Sequence, residues 1–560
     1  MDRSALWKRL AEPFDLLIIG GGVTGCGAAR DATCRGLDTA LVDLGDIASG
    51  TSSRSSKLVH GGLRYLEQGE ISLVFESVTE RRILQHIAPH LVNPLGFLFP
   101  VYPQSRYSPF VVNIGMWLYD GLSLFRSPRV HRNLTRDEAL EEEPRLRRQG
   151  LRGAPLYWDC ATDDARLTLE TAIDASHRGA VVAPYCKVVS IAHDEQGRVM
   201  GARVRDVLTG KEQLVRAKIV VNATGPWSDR TRGLGTDPIG PRLRPTKGVH
   251  IVVEHTRLPV RNAVVSFHPK DERLLFSIPW GDRTYIGTTD TDYREDPGAV
   301  KATTEDVLYL IEAANAAFDG VVLKPTDVLA TWAGVRPLIG EDGAGKESSV
   351  SREHDIRIGE NGLVTISGGK LTTYRRMARE LVDQVLGILL VLGAAPREIK
   401  ESKTDKEPLP GGVGWPEDDD HDAVGRKIVE AANGALDEAT GRHLADTYGT
   451  RGMEVARRVA QDPALGARIV PDRDDVLAQV DFAIDEELAT TLSDVLMRRT
   501  QIFFKDRDQG LGCCDAVARR MAAKLGWDEA RTTQELSTYE AEVARSREWR
   551  AGLTSEKTPS

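Results

Sequence analysis

The sequence predicts an α/β protein: a doubly wound βαβ core, a second domain with an antiparallel sheet, and an all-helical C-terminal region. Three observations predict it. An apolar run, Phe14–Ile19, stops at a glycine cluster and leads into a helical pattern and a second apolar run. The stretches between residues 240 and 290 alternate, as an antiparallel sheet does. Residues 421–548 carry a helical pattern almost throughout.

Taken in order, Phe14–Ile19 reads as a buried parallel strand, because it is apolar on both faces. A helix is predicted from Thr24 to Arg35, with Gly36 suited to its C-terminal cap. Thr39–Val42 is a second buried strand ending in Asp43. Residues 50–75 are Ser/Gly-rich and then turn helical, and a helix is predicted over 76–88 before Pro89. Lys218–Val221 and Leu363–Ile366 are short apolar strands that run into glycine. Residues 396–420, rich in Pro and Gly and closing on Glu417-Asp-Asp-Asp420, read as a surface connector. No internal repeat is visible.

The charge balance excludes one class of function. Seventy-three Lys and Arg face 82 Asp and Glu, a net charge of −9, so global binding of a polyanion such as nucleic acid is not expected, while local basic sites stay open. The cysteines, Cys26, Cys34, Cys160, Cys186, Cys513 and Cys514, form no C-x-x-C pair and no zinc spacing, so no metal is expected. A reducing, cytoplasmic setting fits them. Residues 1–13 lack the layout of a secretion signal. The apolar run Val385–Ala395 is about half of the ~20 residues that a spanning helix needs.

The chemistry begins at Gly20-Gly21-Gly22-Val23-Thr24-Gly25, a G-x-G-x-x-G that follows a strand and opens a helix. Gly20 permits the tight turn, Gly22 lets the backbone approach a diphosphate, and Gly25 lets helix and strand pack closely. Asp43 stands where an acid accepts from ribose hydroxyls. This fingerprint does not by itself separate NAD from FAD. Two later strand exits, Val220-Val-Asn-Ala-Thr-Gly225 and Ile366-Ser-Gly-Gly369, add glycine turns that suit one extended cofactor.

At the next residues the sequence resembles a known family. Thr51-Ser-Ser-Arg-Ser-Ser-Lys-Leu-Val-His-Gly-Gly-Leu-Arg-Tyr-Leu66 is similar to the signature of the FAD-dependent, respiratory glycerol-3-phosphate dehydrogenases. Val221-Asn-Ala-Thr-Gly-Pro-Trp227, Lys247-Gly-Val-His250, Ile286-Gly-Thr-Thr-Asp290, Gly334-Val-Arg-Pro337 and Gly368-Gly-Lys-Leu-Thr-Thr-Tyr374 resemble further blocks in the family's order. The likeness is strong over residues 14–395 and weaker to about 545.

The resemblance implies a glutathione-reductase-like FAD domain, discontinuous over 1–75, 150–240 and 335–395. A capping domain over 76–149 and 241–334 follows from it, then the linker 396–420, a helical domain 421–548 and a tail 549–560 without a role. It implies oxidation of sn-glycerol 3-phosphate to dihydroxyacetone phosphate, with FAD as cofactor and a membrane quinone as acceptor. Gly20, Gly22, Gly25 and Asp43 match the ADP half of the site; Ser52, Ser53, Ser55, Lys57 and Leu58 match the stretch around diphosphate and flavin. Ala223 and Gly225 match the second turn, and Lys370, Leu371 and Thr372 the turn under the flavin ring. Arg64, Tyr65, His250, Arg336 and Lys370 match the substrate pocket, with His60 beside the flavin. The oxygen-using oxidases of the family carry an added segment before the Gly-Val-Arg-Pro block; the 43 residues between Asp290 and Gly334 fit the shorter dehydrogenase form.

The chemistry asks for such residues. A phosphate dianion suits two guanidinium forks and one ammonium, from Arg64, Arg336 and Lys370. Oxidation also needs a proton acceptor; His60 is favoured, with His250 and a Lys370 of depressed pKa as alternatives. Positive charge at Lys370 favours an anionic reduced flavin. Asp163-Asp-Ala-Arg166 reads as the cap of the helix after it; Cys513 and Cys514 read as inert thiols. A quinone acceptor requires contact with a bilayer, and hence a cytoplasmic protein bound peripherally to the inner face of the cell membrane. Phe110, Val111, Ile114, Trp117, Leu118, Leu122 and Phe125 recur at helical spacing between Arg106, Arg126, Arg129 and Arg132, and form the candidate contact. The C-terminal helices are expected to support the fold or a homodimer contact. The competing readings are a peroxide-producing oxidase, a non-catalytic flavoprotein scaffold or sensor, and an NAD-linked enzyme.

Overall fold

The computed structural model describes residues 3–62, 66, 69–105, 108–123, 127–235, 242–340 and 354–554. Two sheets organise it. The first contains β1 (Phe14–Ile19), β2 (Thr39–Val42), β7 (Val181–Ala183), β10 (Glu212–Asn222), β17 (His354–Ile358) and β18 (Val364–Gly368), in the order β17-β18-β10-β1-β2-β7. β8 (Cys186–His193) and β9 (Val199–Asp206) extend it as an antiparallel meander from β10. β1 lies between β10 and β2, parallel to both, in the register Ile18↔Val221 and Ile18↔Leu41. Apolar side chains on both faces of β1 explain this central place. Leu16 and Ile18 meet α1 (Val23–Cys34), α4 (Asp164–His177) and α5 (Tyr374–Val391), while Leu17 and Ile19 meet the β8–β9 meander.

The second sheet runs β15-β11-β14-β13-β12-β4-β6-β3, with β16 beside β11 and β5 beside β6. Its strands are β3 (Leu58–Val59), β4 (Val92–Leu98), β5 (Arg132–Leu134), β6 (Ala154–Thr162), β11 (Thr246–Glu254), β12 (Ala263–Phe267), β13 (Leu274–Trp280), β14 (Arg283–Gly287), β15 (Thr291–Asp292) and β16 (Val328–Arg336). It is antiparallel except where β12 runs parallel to β4. Val249, Ile251 and Val253 of β11 pack against the helix Thr304–Ala317, and Val252 of the opposite face joins Trp332, Tyr285, Phe503, Phe504 and Val517. The C-terminal helices therefore rest on this sheet and close one face of it. They also keep a core of their own around Ile428, Leu444, Tyr448 and Phe482.

The structure redraws several expected boundaries. Residues 154–162 were assigned to the nucleotide-binding layer, but β6 pairs with β3, β4 and β5 in the second sheet. β3, likewise, leaves the first layer. The helix expected over 76–88 is α2, Ile71–Ile87. The connector 396–420 is not all surface: Leu409 is buried, its N–H donates to the Ile87 carbonyl (2.7 Å), and Gly411 N–H donates to Glu170 (3.2 Å). Its acidic end, Glu417–Asp419, is exposed as expected. The tail begins later than residue 549, because Trp549 is buried in the core against the capping sheet and its carbonyl accepts from Thr304 Oγ1 (2.5 Å). Residues 555–560 of the expected tail lie outside the described residues.

Candidate active site

Four parallel neighbours, β18, β10, β1 and β2, end on the same edge of the first sheet. Ligands of open α/β sheets bind beyond such carboxyl ends, and the glycine turns of the sequence gather here. Gly20 (φ +115°) turns so that a Cβ would stand 2.5 Å from the Ala223 carbonyl oxygen, and a Cβ on Gly25 would collide with the Gly20 carbonyl. Only glycine lets the first turn lie on the second in this way. Gly22 caps α1 without a side-chain oxygen, so the start of the helix is open to an anion. Ser52 Oγ accepts from Val23 N–H (2.9 Å), and Gly225 has open space above it. Past β18, Gly369 (φ +82°) crosses directly over Met377 of α5, where any side chain would clash with its thioether.

Asp43 ends β2 beside these turns. Its carboxylate accepts from Gly21 N–H (2.6 Å) and Gly45 N–H (2.8 Å). Burial raises its pKa to about 6 against the pull of those two amides. The cradle suits a dinucleotide: three backbone turns, a helix start whose N-cap is a glycine, and one acid lie along a single edge. The first-turn residues Gly20, Gly22, Gly25 and Asp43 are brought together, as are Ala223 and Gly225. Lys370, Leu371 and Thr372 stand on the turn beyond β18.

The loop between the two sheets is tied from within. Ser53 is buried and Leu58 enters the core. Ser55 and Lys57 were expected at diphosphate and flavin, but both side chains turn to Asp164 at the start of α4. Ser55 donates from N–H (3.0 Å) and Oγ (2.7 Å), and Lys57 Nζ donates at 2.6 Å. The Lys57 ammonium is buried over the rings of Trp280, Trp332 and Phe504. A charge can be buried only with a partner, and Asp164 is that partner. Lys57 (φ +52°) therefore shapes the loop from within.

The residues expected on the substrate side approach from the second sheet. Arg336 ends β16, opposite Thr246. Its guanidinium donates to Asp290 Oδ1 (2.9 Å), Thr288 Oγ1 (3.1 Å) and the Thr289 carbonyl (3.3 Å), and lies over Gly248, which leaves it room. His250 follows on the same face of β11. It is buried, stacks on Trp332 (4.7 Å between centroids, 13° between planes) and shares a hydrogen bond with Ser56 Oγ (3.0 Å). Burial, then the charges of Arg336 and Lys57, push its pKa well below the usual imidazole value, so it is neutral at neutral pH. His60 is half-buried and tied by its backbone to Thr372 Oγ1, its N–H at 3.2 Å and its carbonyl at 3.3 Å. That tie brings His60 to the Lys370 turn. Arg64 and Tyr65 lie outside the described residues.

Asp290, Thr288 and Trp332 were not given roles from sequence, and Asp164 only one within a helix-capping segment. Asp290 and Thr288 lie in the block Ile286–Asp290, so a carboxylate in a matched block near a matched arginine was the available signal. Asp163 caps α4 as expected, accepting from Arg166 N–H (3.1 Å). Among the described residues no cluster of His, Cys, Asp or Glu could hold a metal ion.

Known proteins match this arrangement. Residues 15–375 match the family model of FAD dependent oxidoreductases, and residues 402–532 match the C-terminal domain of alpha-glycerophosphate oxidase. The chain is 39% identical over 519 residues to the aerobic glycerol-3-phosphate dehydrogenase of Bacillus subtilis, covering 92% of each chain. It is 36% identical over 563 residues to that of Staphylococcus haemolyticus, covering 99% of each. The crystal structure of the glycerol-3-phosphate dehydrogenase from Bacillus halodurans complexed with FAD superposes with a TM-score of 0.81 at 34% identity, covering 100% of this chain and 99% of that one.

The acid at the end of β2 makes a pH prediction. A pKa raised to about 6 means that Asp43 gains its charge as pH rises through that value, and only the carboxylate accepts fully from ribose hydroxyls. The affinity of flavin-free protein for FAD should rise roughly 3- to 10-fold between pH 5 and 7, measured by quenching of flavin fluorescence. Asp43→Asn should flatten this profile; a dependence that survives the substitution contradicts the role.

Proposed function

The chain belongs to the family of FAD-dependent glycerol-3-phosphate dehydrogenases, and from that premise we propose that it oxidises sn-glycerol 3-phosphate to dihydroxyacetone phosphate with a membrane quinone as the final acceptor. FAD, when bound, supplies the two-electron acceptor for the carbon-bound hydride. The protein's own residues hold the substrate and move the proton. The observation that carries the reading is the Arg336 fork, pre-set by Asp290 and Thr288 at the mouth of the second sheet, with neutral His250 two positions from Gly248 beneath it. A fixed guanidinium grips a phosphate without first losing its own freedom. Lys370, and Arg64 by the family resemblance, complete the anion site.

His60 is the proton acceptor in this reading. Its backbone link to Thr372 keeps it near the Lys370 turn, and it is more open to solvent than buried His250. His250, stacked on Trp332 and bonded to Ser56, serves as a neutral wall of the pocket.

The quinone reading draws support from one helix. On α3 (Pro109–Leu122), Phe110, Val111, Ile114, Trp117 and Leu118 are exposed, Phe110 by 72%. Val112, Met116 and Tyr119 face the core instead. Ile71 and Phe75 of α2 are exposed as well. Large apolar side chains on the outside of an amphipathic helix fit the bilayer interface. Arg129 and Arg132 are both exposed nearby, Arg129 with its guanidinium 4.6 Å from the Trp158 ring centre. Phe125, Arg106 and Arg126 lie outside the described residues. Among the described residues no helix is long and apolar enough to cross a membrane. The protein thus sits on the inner face of the cell membrane in this reading.

Anaerobic stopped-flow tests the reaction. Glycerol 3-phosphate should bleach the yellow holoprotein, and glycerol should not. Arg336→Ala should raise the substrate concentration needed by about 100-fold, the loss of roughly two charge-assisted hydrogen bonds, with flavin content unchanged. His60→Asn should lower the limiting rate by about 100-fold or more. Equal bleaching by glycerol, or wild-type behaviour of both variants, rejects the site. Rapid reoxidation by oxygen with peroxide formation would favour the oxidase instead.

Vesicle flotation tests the membrane face. Ile114→Glu/Trp117→Glu should release the protein from anionic vesicles and keep dye-linked activity. Unchanged binding places the contact elsewhere.

A further inference from the structure

The loop after β2 is held from two sides. Toward the cleft, Asp43 accepts from Gly21 and Gly45 N–H, Ala48 N–H donates to the Gly21 carbonyl (3.0 Å), and Ile47 packs against Gly21. Away from the cleft, Asp46 is 1% exposed and its carboxylate meets two arginines of the π-helical turn Asp494–Arg499. Arg498 Nε donates at 2.5 Å; Arg499 Nη1 and Nη2 donate at 2.5 and 3.0 Å. Arg498 also donates to Asp494 (2.7 Å), which accepts from Tyr185 OH (2.5 Å), and Tyr185 N–H donates back to the Gly45 carbonyl (2.9 Å). Arg499 is anchored in turn on the Glu487 carbonyl (2.6 Å).

This is a closed, buried cluster of two arginines and two aspartates, and its exit toward the cofactor is the loop itself. Asp46 lies three residues from Asp43, and the loop ends at Ser52, whose hydroxyl caps Val23 at the start of α1. In a dinucleotide fold the acid after the second strand faces the adenosine ribose.

We propose that the C-terminal helical domain acts as a clamp on the adenosine half of FAD, with Arg498 and Arg499 as positioning residues that work through Asp46. The proposal rests on the cofactor assignment above. It gives the helical domain a function in the first sheet's site, although its own core packs on the second sheet. Because a buried ionic cluster holds only while each charge keeps its partner, loosening it at Asp46 frees the loop on the cleft side. Undocking the helical domain elsewhere does not do so directly.

A second interdomain contact provides the control. Arg166 of α4 makes a two-pronged bond to the Glu487 carboxylate (2.7 and 2.8 Å), on the same interface but off the nucleotide loop; Arg499 bonds only the main-chain carbonyl of Glu487, which Glu487→Gln keeps. Flavin-free full-length protein is titrated with FAD by fluorescence quenching and with ADP by calorimetry, and thermal unfolding is followed in parallel. Asp46→Asn should weaken FAD and ADP together by at least ~10-fold, Arg499→Lys by an intermediate factor, and Glu487→Gln should lower the melting temperature with FAD affinity kept within about 2-fold. Arg499→Lys keeps the charge and serves if Asp46→Asn fails to fold. Wild-type affinity for FAD and ADP in a folded Asp46→Asn or Arg499→Lys protein overturns the clamp. So does parallel weakening in Glu487→Gln, which marks a general effect of domain docking. Wild-type protein that binds no FAD removes the premise and the proposal with it.

Discussion

The ion pair between Lys57 and Asp164 is the constraint on which the rest of the site depends. The chain crosses between the two sheets from the Ser-rich loop into β3 and again from β6 into α4. Lys57 stands at the first crossing and Asp164 at the second, with Nζ and Oδ1 2.6 Å apart and both side chains buried. Ser55 adds two bonds to the same carboxylate. Trp332 and Tyr285 of the second sheet donate to the Ser55 and Ser56 carbonyls, at 3.0 and 2.9 Å. In the proposed reading, the wall that faces the cofactor and the wall that faces the substrate are therefore one stretch of backbone. A buried ion pair contributes little net stability over a well-packed apolar pair, and its value here is geometric.

The same economy of charge shapes the pocket. The protein carries a net charge of −9, yet in the proposed reading it meets an anionic substrate with fixed cations. Arg336 is held by Asp290 and Thr288 before substrate arrives, and Arg273 also reaches the Asp290 carbonyl. His250 is kept neutral by burial and by the cations next to it, so it adds no competing charge. Such preorganisation removes the entropic cost of assembling the site around each substrate.

Much of this was legible in the sequence because it is local. The glycine fingerprint, the strands on each side of it and the acid Asp43 occur within 30 residues, and their spacing follows directly from a βαβ unit. What the sequence concealed is long-range. Lys57 and Asp164 are 107 residues apart, and Asp46 and Arg499 are 453 apart; no spacing rule connects them. The resemblance places Lys57 in a cofactor-associated stretch, but only the fold shows that Asp164 and three aromatic rings set the direction of its side chain. The boundary at residue 150 put β6 in the first layer, because nothing local to residues 154–162 shows that their pairing partners are β3, β4 and β5. Trp549 looked like part of a tail because the helix it packs against comes more than 230 residues earlier.

The most direct test of the shared wall replaces the ion pair without leaving a lone buried charge. The double variant Lys57→Met/Asp164→Asn should fold, and its affinities for FAD and for a phosphorylated substrate analogue should be titrated on the same preparation. A single wall predicts that both weaken together, each by about 10-fold, the scale of 1.4 kcal/mol. Unchanged affinities, or the loss of one with the other intact, would contradict it.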